Sequence, residues 1–314
     1  LLVVSAFGKV LNNHLRYRHA RSTQTPNHYR TILFNETTIC FSECSLLRIK
    51  QMKLKLSTFS FAFLIWLLSP FTHADHHEFV GGIDVDAPFN LQVQMCALAE
   101  GVDQKQYDAF LNDYFSWSKK HDVEVTFIRQ QSLFTHANAK NPNPYDFIEF
   151  LATDHRSAGQ GWDKWLTTKD GQKLGETWGK LAQCDVKMAH AKMIWTNVEA
   201  MNTDRERVVT WNWCTRKDGV SWDQLNAKHD TVAATAGDNP SNIAWLAFFP
   251  HLGGANAPGE FAHIVVYPDV AALMESSARH AQGGWRLLDD YYTSYANCHG
   301  ESASLETIMY QPGD

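Results

Sequence analysis

The sequence predicts an α+β protein built from two copies of one β-α-β-β-α-β unit, in residues 91–195 and 208–312. Three observations support this fold class. Apolar residues alternate with a period of two in short stretches, and between these stretches they follow helical spacing. Similar residues recur along the chain at a nearly constant offset. The predicted strands and helices also come in the same order in both copies.

The repeat is clearest at the cysteines and at a Phe-x-His motif. Each copy contains a Cys, three residues, an acidic residue, Gly and Val, beginning at Cys96 in the first copy and at Cys214 in the second. The matching positions are Cys96 and Cys214, His136 and His251, and Cys184 and Cys298. Their offsets are 118, 115 and 114 residues. Such similar offsets indicate an internal duplication.

In the first copy the pattern predicts four strands and two helices. The first helix begins at the N-cap residue Asp103 and carries its apolar residues at helical spacing. The second helix has three tryptophans on its apolar stripe and is expected to break at Gly171. The predicted elements are strand 91–98, helix 103–121, strand 123–130, strand 146–152, helix 157–183 and strand 186–195.

The second copy repeats this order. Ser221 takes the N-cap position of the first helix, and the pair Gly283-Gly284 is expected to break the second helix. The predicted elements are strand 208–213, helix 221–236, strand 243–249, strand 261–267, helix 270–297 and strand 305–310.

This element order is that of the ferredoxin-like motif, and two such units in tandem resemble a fused dimer of the dimeric α+β barrel superfamily. The resemblance covers residues 91–312 and includes no diagnostic catalytic motif. It implies a monomeric pseudo-dimer in which two sheets form one barrel, with helices outside and a pocket in each half. Members include cofactor-independent oxygenases, haem-using enzymes, isomerases and ligand-binding proteins. The resemblance therefore implies a pocket and does not specify a reaction.

The four cysteines of the repeat predict two disulfides, Cys96–Cys184 and Cys214–Cys298. In the ferredoxin-like motif the first and fourth strands are antiparallel neighbours. Each pair would join the end of the first strand to the start of the fourth, within disulfide reach. Four buried thiols are the alternative, since disulfides require an oxidising compartment. The cysteine spacing does not match a zinc site.

The N-terminal part of the chain has the features of an export signal. Residues 52–74 contain two lysines, an apolar stretch too short for a membrane span, and a small-residue exit ending at Ala74. Cleavage there would leave a periplasmic or extracellular chain without a membrane span, and an uncleaved anchor is the alternative. The remaining segments are interpreted as upstream translated sequence (1–51), an N-terminal tail (75–90) and a linker (196–207).

The formal charge of −6 averages two unlike parts of the chain. Residues 1–74 have nine Lys or Arg and two acidic residues, whereas residues 75–314 have nineteen and thirty-two, a net charge of −13. Nucleic-acid binding requires clustered basic residues, so the acidic body excludes it. A small molecule is the expected partner.

Four side chains are candidates for acid–base catalysis. Glu149 and His263 lie in the middle of the third predicted strand of each copy, on a face with apolar neighbours, where burial perturbs a pKa. Each is a candidate general base, with a polar residue at the rim or on the barrel seam as the alternative. His136 and His251 follow the second strand of each copy. This symmetric pair is either catalytic or a hydrogen-bond partner of the following loop.

Cleavage after Ala74 would expose Asp75-His76-His77 at the new N-terminus. A free amine, two backbone amides and the His77 imidazole can bind Cu(II) or Ni(II) in a square plane; a solvated tail is the alternative. Haem is compatible with the resemblance, but no motif in the sequence indicates a haem ligand.

Three functions stay open from the sequence. The first is an exported small-molecule-binding α+β barrel protein with no assigned reaction. The second is a cofactor-independent or haem-using oxygenase or isomerase that uses Glu149, His263, His136 or His251. The third is copper binding through the mature N-terminus. The sequence does not decide whether the protein is an enzyme.

Overall fold

The computed structural model describes residues 78–138, 140, 142–236 and 241–314. The predicted export signal and the Asp75-His76-His77 site lie outside the described residues. Within the part of the chain that the structure describes, no helix has both the length and the apolar character needed to cross a bilayer.

Eight antiparallel strands close into one barrel, which is preceded by a short hairpin of β1 (Phe79–Val80) and β2 (Ile83–Asp84). The barrel strands are β3 (Phe89–Leu98), β4 (Thr126–Phe134), β5 (Phe147–Thr153), β6 (Ala182–Thr196), β7 (Glu206–Arg216), β8 (Ala244–Pro250), β9 (Phe261–Tyr267) and β10 (Ala296–Tyr310). Their order around the barrel is β10-β4-β5-β3-β6-β8-β9-β7. The predicted α+β class is confirmed.

The barrel consists of two four-stranded sheets with the same internal order, β4-β5-β3-β6 and β8-β9-β7-β10. The fifteen-residue strands β6 and β10 join them. The first part of β6 pairs with β3 and its last part with β8. The first part of β10 pairs with β7 and its last part with β4. These two junctions are called the seams.

The last strand is longer than predicted because its first half is polar. Residues 296–304 contain few apolar side chains, so the alternation that predicts a strand begins only at Leu305. In the structure, the ladder with β7 begins at Ala296. Pairing with a neighbouring strand therefore extends β10 beyond its own apolar pattern.

The barrel interior is an apolar core to which both sheets contribute. Alternate side chains on the inward faces of the two sheets meet there, among them Leu91, Phe150, Val209 and Ile264. The hairpin of β1 and β2, in the segment expected to be a tail, buries Val80, Ile83 and Val85 in this same core.

Seven α-helices complete the fold. They are α1 (Gln104–Lys120), α2 (His155–Thr167), α3 (Lys169–Leu181), α4 (Val198–Thr203), α5 (Trp222–Ala236), α6 (Val270–Arg279) and α7 (Trp285–Ser294) within the described residues. Helices α1–α3 pack on the outer face of the first sheet, and α5–α7 pack on the outer face of the second. The short α4 lies in the segment expected to be a linker.

The two predicted helix breaks have different outcomes. The expected break at Gly171 is wrong by one turn, because Thr168 is extended and its hydroxyl accepts a hydrogen bond from the Gly171 N–H, which starts α3. Gly171 is needed there because a Cβ would lie 2.6 Å from the Trp165 carbonyl oxygen. The break at Gly283-Gly284 is confirmed: a π-helical turn at His280–Gly284 separates α6 from α7, and Gly283 has a φ of 116°.

Both predicted disulfides are present. Cys96 and Cys184 lie directly opposite each other on β3 and β6, with sulfur atoms 2.07 Å apart. Cys214 and Cys298 lie opposite each other on β7 and β10, with sulfur atoms 2.01 Å apart. Each disulfide links two neighbouring strands of one sheet, which are the first and the last of that sheet in chain order.

Candidate functional site

Each half of the protein has a cleft between the outer face of its sheet and the covering helices. The first cleft lies beneath α1, α2 and α3 and measures about 670 Å³ to its open mouth. The second cleft lies among β7, β8, β9, α5 and α7 and measures about 660 Å³ to its open mouth. Because the two clefts occupy equivalent places, differences between their side chains show what each can bind.

The first cleft has aromatic walls and a polar floor. Its walls include Tyr107, Tyr114, Trp117, Trp162, Trp165 and Trp178. Its floor is a row of amides on β3, formed by Asn90, Gln92 and Gln94. Trp162 Nε1 donates a hydrogen bond to Gln92 Oε1 at 2.7 Å. The side chains of Asn90 and Gln94 and the buried Trp117 Nε1 have no hydrogen-bond partner among the described residues.

Glu149 lies on β5 beside this cleft and is held by a buried ion pair. Arg129 donates from Nη2 and Nε to Glu149 Oε1 at 2.9 and 3.2 Å. The Tyr107 hydroxyl donates to Glu149 Oε2 at 2.8 Å. Arg129 also contacts Asp108 through Nη1 at 2.6 Å. Both Glu149 oxygens are therefore engaged, and the side chain is 0% exposed.

Burial raises the pKa of Glu149, and the Arg129 guanidinium opposes that increase. Desolvation penalises the carboxylate, whereas the adjacent positive charge and two hydrogen-bond donors favour it. This arrangement stabilises a fixed Arg–Glu pair. It leaves no carboxylate oxygen directed at a molecule in the first cleft.

His263 occupies the equivalent position on β9 and belongs to a chain of hydrogen bonds in the second cleft. Trp245 Nε1 donates to His263 Nδ1 at 3.0 Å. His263 Nε2 lies 2.8 Å from the Tyr291 hydroxyl, which lies 3.0 Å from His229 Nε2. Because Nδ1 accepts, Nε2 is assigned the hydrogen and donates to Tyr291. The Tyr291 hydroxyl then donates to His229.

The imidazoles of His263 and His229 are both neutral. Burial lowers the pKa of His263 to about 3 and that of His229 to about 4. Burial also raises the pKa of Tyr291. Since Tyr291 lines the second cleft and keeps its proton, its hydroxyl is the member of the chain that can contact a bound molecule.

The second cleft also contains buried polar atoms without partners. Asn212 lines the cleft, is 7% exposed, and its Oδ1 has no hydrogen-bond partner among the described residues. Nδ1 of the buried His229 also has no hydrogen-bond partner among the described residues. A buried polar atom that lacks a partner costs free energy, so a ligand able to pair with Asn212 would recover that cost.

The registers of the two sheets explain why the clefts differ. Four residues lie side by side across each sheet at the level of the candidate base. They are Val186, Gln94, Glu149 and Arg129 in the first half, and Glu301, Asn212, His263 and Ala247 in the second. Ala247 stands where the first half has Arg129. The row of the second half therefore has no guanidinium beside its candidate base.

The other two sequence candidates lie outside both clefts. His136 is exposed in the loop after β4. His251 is exposed directly after β8, and its ring packs at a tilt of 38° against His190, with centroids 4.6 Å apart. Neither forms a hydrogen bond with Glu149 or His263 among the described residues. The structure thus does not bring the four candidates together.

Sequence reasoning missed the partners that define both clusters. Arg129 alternates with Phe127 on β4 and therefore shares the outer face of its sheet. His229 is four residues after the buried Leu225 on α5 and shares its helix face. These spacings indicate which face of a strand or helix each residue occupies. The contacts with Glu149 and Tyr291 depend on packing between distant segments.

Among the described residues, the buried His263 and His229 are not available to a haem iron or a metal ion in the second cleft. Within the described part of the chain, one group of metal-binding residue types lies close enough to share an ion, namely Cys214, His263 and Cys298, but its cysteines form a disulfide. A haem iron that is held by histidine needs an imidazole nitrogen with a free lone pair. Both nitrogens of His263 are engaged, and His229 Nε2 accepts from Tyr291.

The buried histidines predict a loss of stability in mild acid. In the unfolded chain a histidine titrates near pH 6.5, whereas folded His263 titrates near 3. The unfolded state therefore binds more protons between these values, and stability falls as the pH falls through that window. We expect His263 to contribute a loss on the order of 2 kcal/mol between pH 7 and pH 4.5.

Urea unfolding at the two pH values measures this effect. In a His263→Phe variant the difference between pH 7 and pH 4.5 should shrink by a similar amount. Replacing the exposed His136 by Phe should leave it unchanged. An equal pH dependence in all three proteins would contradict the neutral, buried state of His263.

The fold and clefts define a class: an eight-stranded α+β barrel with a helix-covered cleft in each half. No family model and no curated protein matches the chain. A presumed monooxygenase from Lactobacillus acidophilus NCFM is 13% identical, with a TM-score of 0.45, over 71% of this chain and 94% of its own. An anthrone oxidase-like protein is 8% identical, with a TM-score of 0.43, over 75% of this chain and 97% of its own.

A chlorite dismutase from Candidatus Nitrospira defluvii, solved with imidazole, is 5% identical, with a TM-score of 0.43, over 70% of this chain and 92% of its own. These identities and scores are too low to assign this chain to a family. The resemblance to the dimeric α+β barrel superfamily stays a prediction at the level of the fold, and the closed eight-stranded barrel of this structure agrees with it.

Proposed function

We propose that this protein binds a small, flat, neutral organic molecule in the first cleft. The observation that carries the proposal is the combination of aromatic walls with a floor of amides. Cavities that bind small molecules are largely apolar and contain a few well-placed polar groups. Asn90 and Gln94 have no partner among the described residues, so their amides can donate to and accept from a ligand.

The charges around the first cleft favour a neutral ligand. The nearest buried charges, Arg129 and Glu149, neutralise each other at 2.9 Å. A ligand with a net charge would therefore lose its hydration without gaining an opposite charge. Tryptophan and tyrosine rings instead favour the faces of an aromatic molecule, through offset or edge-to-face stacking.

We also propose the finer architecture suggested by the duplication. The chain is a monomeric pseudo-dimer of two ferredoxin-like repeats, and it works outside the cytoplasm after removal of its signal. The equal strand order of the two sheets supports the first statement. Two disulfides support the second, since they persist in oxidising compartments.

A second candidate function is proton transfer in the second cleft, of the kind that isomerases and cofactor-independent oxygenases need. The observation favouring it is the chain His263–Tyr291–His229 beside the unpaired Asn212 Oδ1. In this candidate the Tyr291 oxygen accepts a proton from the substrate while its own proton passes to His229 Nε2, so that Tyr291 stays protonated, the substrate becomes the anion and His229 becomes the imidazolium; His263 positions the hydroxyl.

Two matched variants distinguish the clefts. Ala158→Phe places a ring in the first cleft, and Val232→Phe places one in the second, since these residues line the respective cavities. The probe is 2-naphthol, a flat bicyclic molecule with one hydroxyl group, and its binding is measured by calorimetry. We expect binding to the unmodified protein and to Val232→Phe, and at least a tenfold weaker affinity for Ala158→Phe.

Thermal unfolding of both variants confirms that each is folded before binding is compared. No binding of 2-naphthol to the unmodified protein, or equal binding by both variants, would contradict the first proposal. Weaker binding to Val232→Phe alone would contradict it too, because it would place 2-naphthol in the second cleft.

A further inference from the structure

Three histidines that neither cleft uses meet at one seam of the barrel. His155 is the first residue of α2, His190 lies on β6, and His251 follows β8. His190 is opposite Phe249 in the ladder that joins the two halves. The group therefore combines two residues from the first half with one from the second.

The three rings contact one another closely. His155 Nε2 and His190 Nδ1 are 2.7 Å apart. The ring centroids of His155 and His190 are 4.9 Å apart, and those of His190 and His251 are 4.6 Å apart. No ring of this group has another hydrogen-bond partner among the described residues. In particular, no carboxylate from the surrounding elements forms an ion pair with them there.

This arrangement leaves imidazole lone pairs without a donor. A neutral imidazole has one acceptor nitrogen, so three rings have three lone pairs, and the single contact between His155 and His190 uses one of them. Neutral imidazole nitrogens are the commonest protein ligands for zinc and similar ions. Without a metal ion, hydrogen bonds from solvent would satisfy these lone pairs.

We propose that His155, His190 and His251 bind one Zn²⁺ ion across this seam. Three imidazoles and one open position are the donor set of many zinc sites, in which water takes the fourth position. The ion would connect α2 and β6 of the first half to the end of β8 in the second.

Side-chain movements are required to complete the site. As they stand, the three rings do not direct nitrogens at a single point. Two nitrogens bound to one tetrahedral zinc are about 3.3 Å apart, given Zn–N distances near 2.05 Å, so His155 and His190 must separate slightly. His155 and His251 are exposed and can turn, whereas His190 is fixed by its strand.

The test is a titration of chelator-treated protein with Zn²⁺, followed by calorimetry and thermal unfolding. We expect one equivalent to bind and to raise Tm, because an ion that binds only the folded state stabilises it. His155→Ala, His251→Ala and His190→Gln should each weaken binding by at least about tenfold. His136→Ala is the matched control, since His136 is the counterpart of His251 in the repeat and should have no effect.

Two results would overturn the proposal. One is the absence of Zn²⁺ binding by the unmodified protein. The other is equal affinity in His136→Ala and in the three site variants, which would place the ion elsewhere. A His77→Ala variant separates this site from the N-terminal segment, and it should retain full Zn²⁺ affinity if the seam binds the ion.

Discussion

An Arg129→Ala variant is expected to lose about 3–5 kcal/mol of stability, because it leaves a buried carboxylate without its counter-charge. Arg129 and Glu149 are 6% and 0% exposed, and the guanidinium makes two hydrogen bonds to one carboxylate oxygen. Urea unfolding at pH 8 measures the loss. It should be smaller at pH 5, since removal of Arg129 raises the pKa of Glu149 further.

The sign of this pH dependence follows from proton binding. A glutamate whose folded pKa lies above its unfolded value of about 4.3 binds more protons in the folded state. Stability therefore falls as the pH rises through that interval. A variant equally destabilised at pH 5 and pH 8 would show that Glu149 is not the group left uncompensated.

Two further variants give this experiment its controls. Arg205→Ala removes a more exposed ion pair with Asp314 and should cost no more than about 1 kcal/mol. The double variant Arg129→Met, Glu149→Leu removes both charges and should recover most of the loss. If the double variant were as unstable as Arg129→Ala, lost packing would explain the effect in place of the unpaired charge.

Removing the disulfide Cys96–Cys184 should cost about 4.6 kcal/mol in the chain-entropy model, since the bond closes a loop with a sequence separation of 88 residues. The double variant Cys96→Ala, Cys184→Ala tests this by urea unfolding under oxidising conditions. The Cys214–Cys298 bond, with a separation of 84, should contribute a similar amount.

Reduction provides the control for the disulfide prediction. Dithiothreitol should destabilise the unmodified protein by more than either double variant, because it opens both bonds. A double variant as stable as the unmodified protein would show that the reduced, unfolded chain is already constrained. That result would contradict the entropic account for this protein.

The sequence predicts the elements of this fold well where periodicity and duplication agree. The strand predicted over 261–267 has the bounds of β9, and both disulfides follow from the strand order. Gly171 misled the prediction because glycine signals a break by itself, whereas here it permits close packing against Trp165. Thr168, one turn earlier, ends the helix.

The candidate site was predictable only in part. Alternation places Glu149 and His263 on the helix-covered faces of their sheets. It cannot show that Arg129 neutralises one of them while Tyr291 contacts the other, because those partners come from segments 20 and 28 residues away. Sequence patterns define which face a residue occupies, and the fold decides which residues from other segments meet it there.

The seams have a consequence for how this protein can change over generations. In a dimer of identical chains, every substitution appears twice, so both clefts must tolerate the same residue. Here β6 and β10 join unlike halves within one chain. Arg129 in one half and Ala247 in the other can therefore coexist, and either cleft can acquire a new ligand while the other keeps its own.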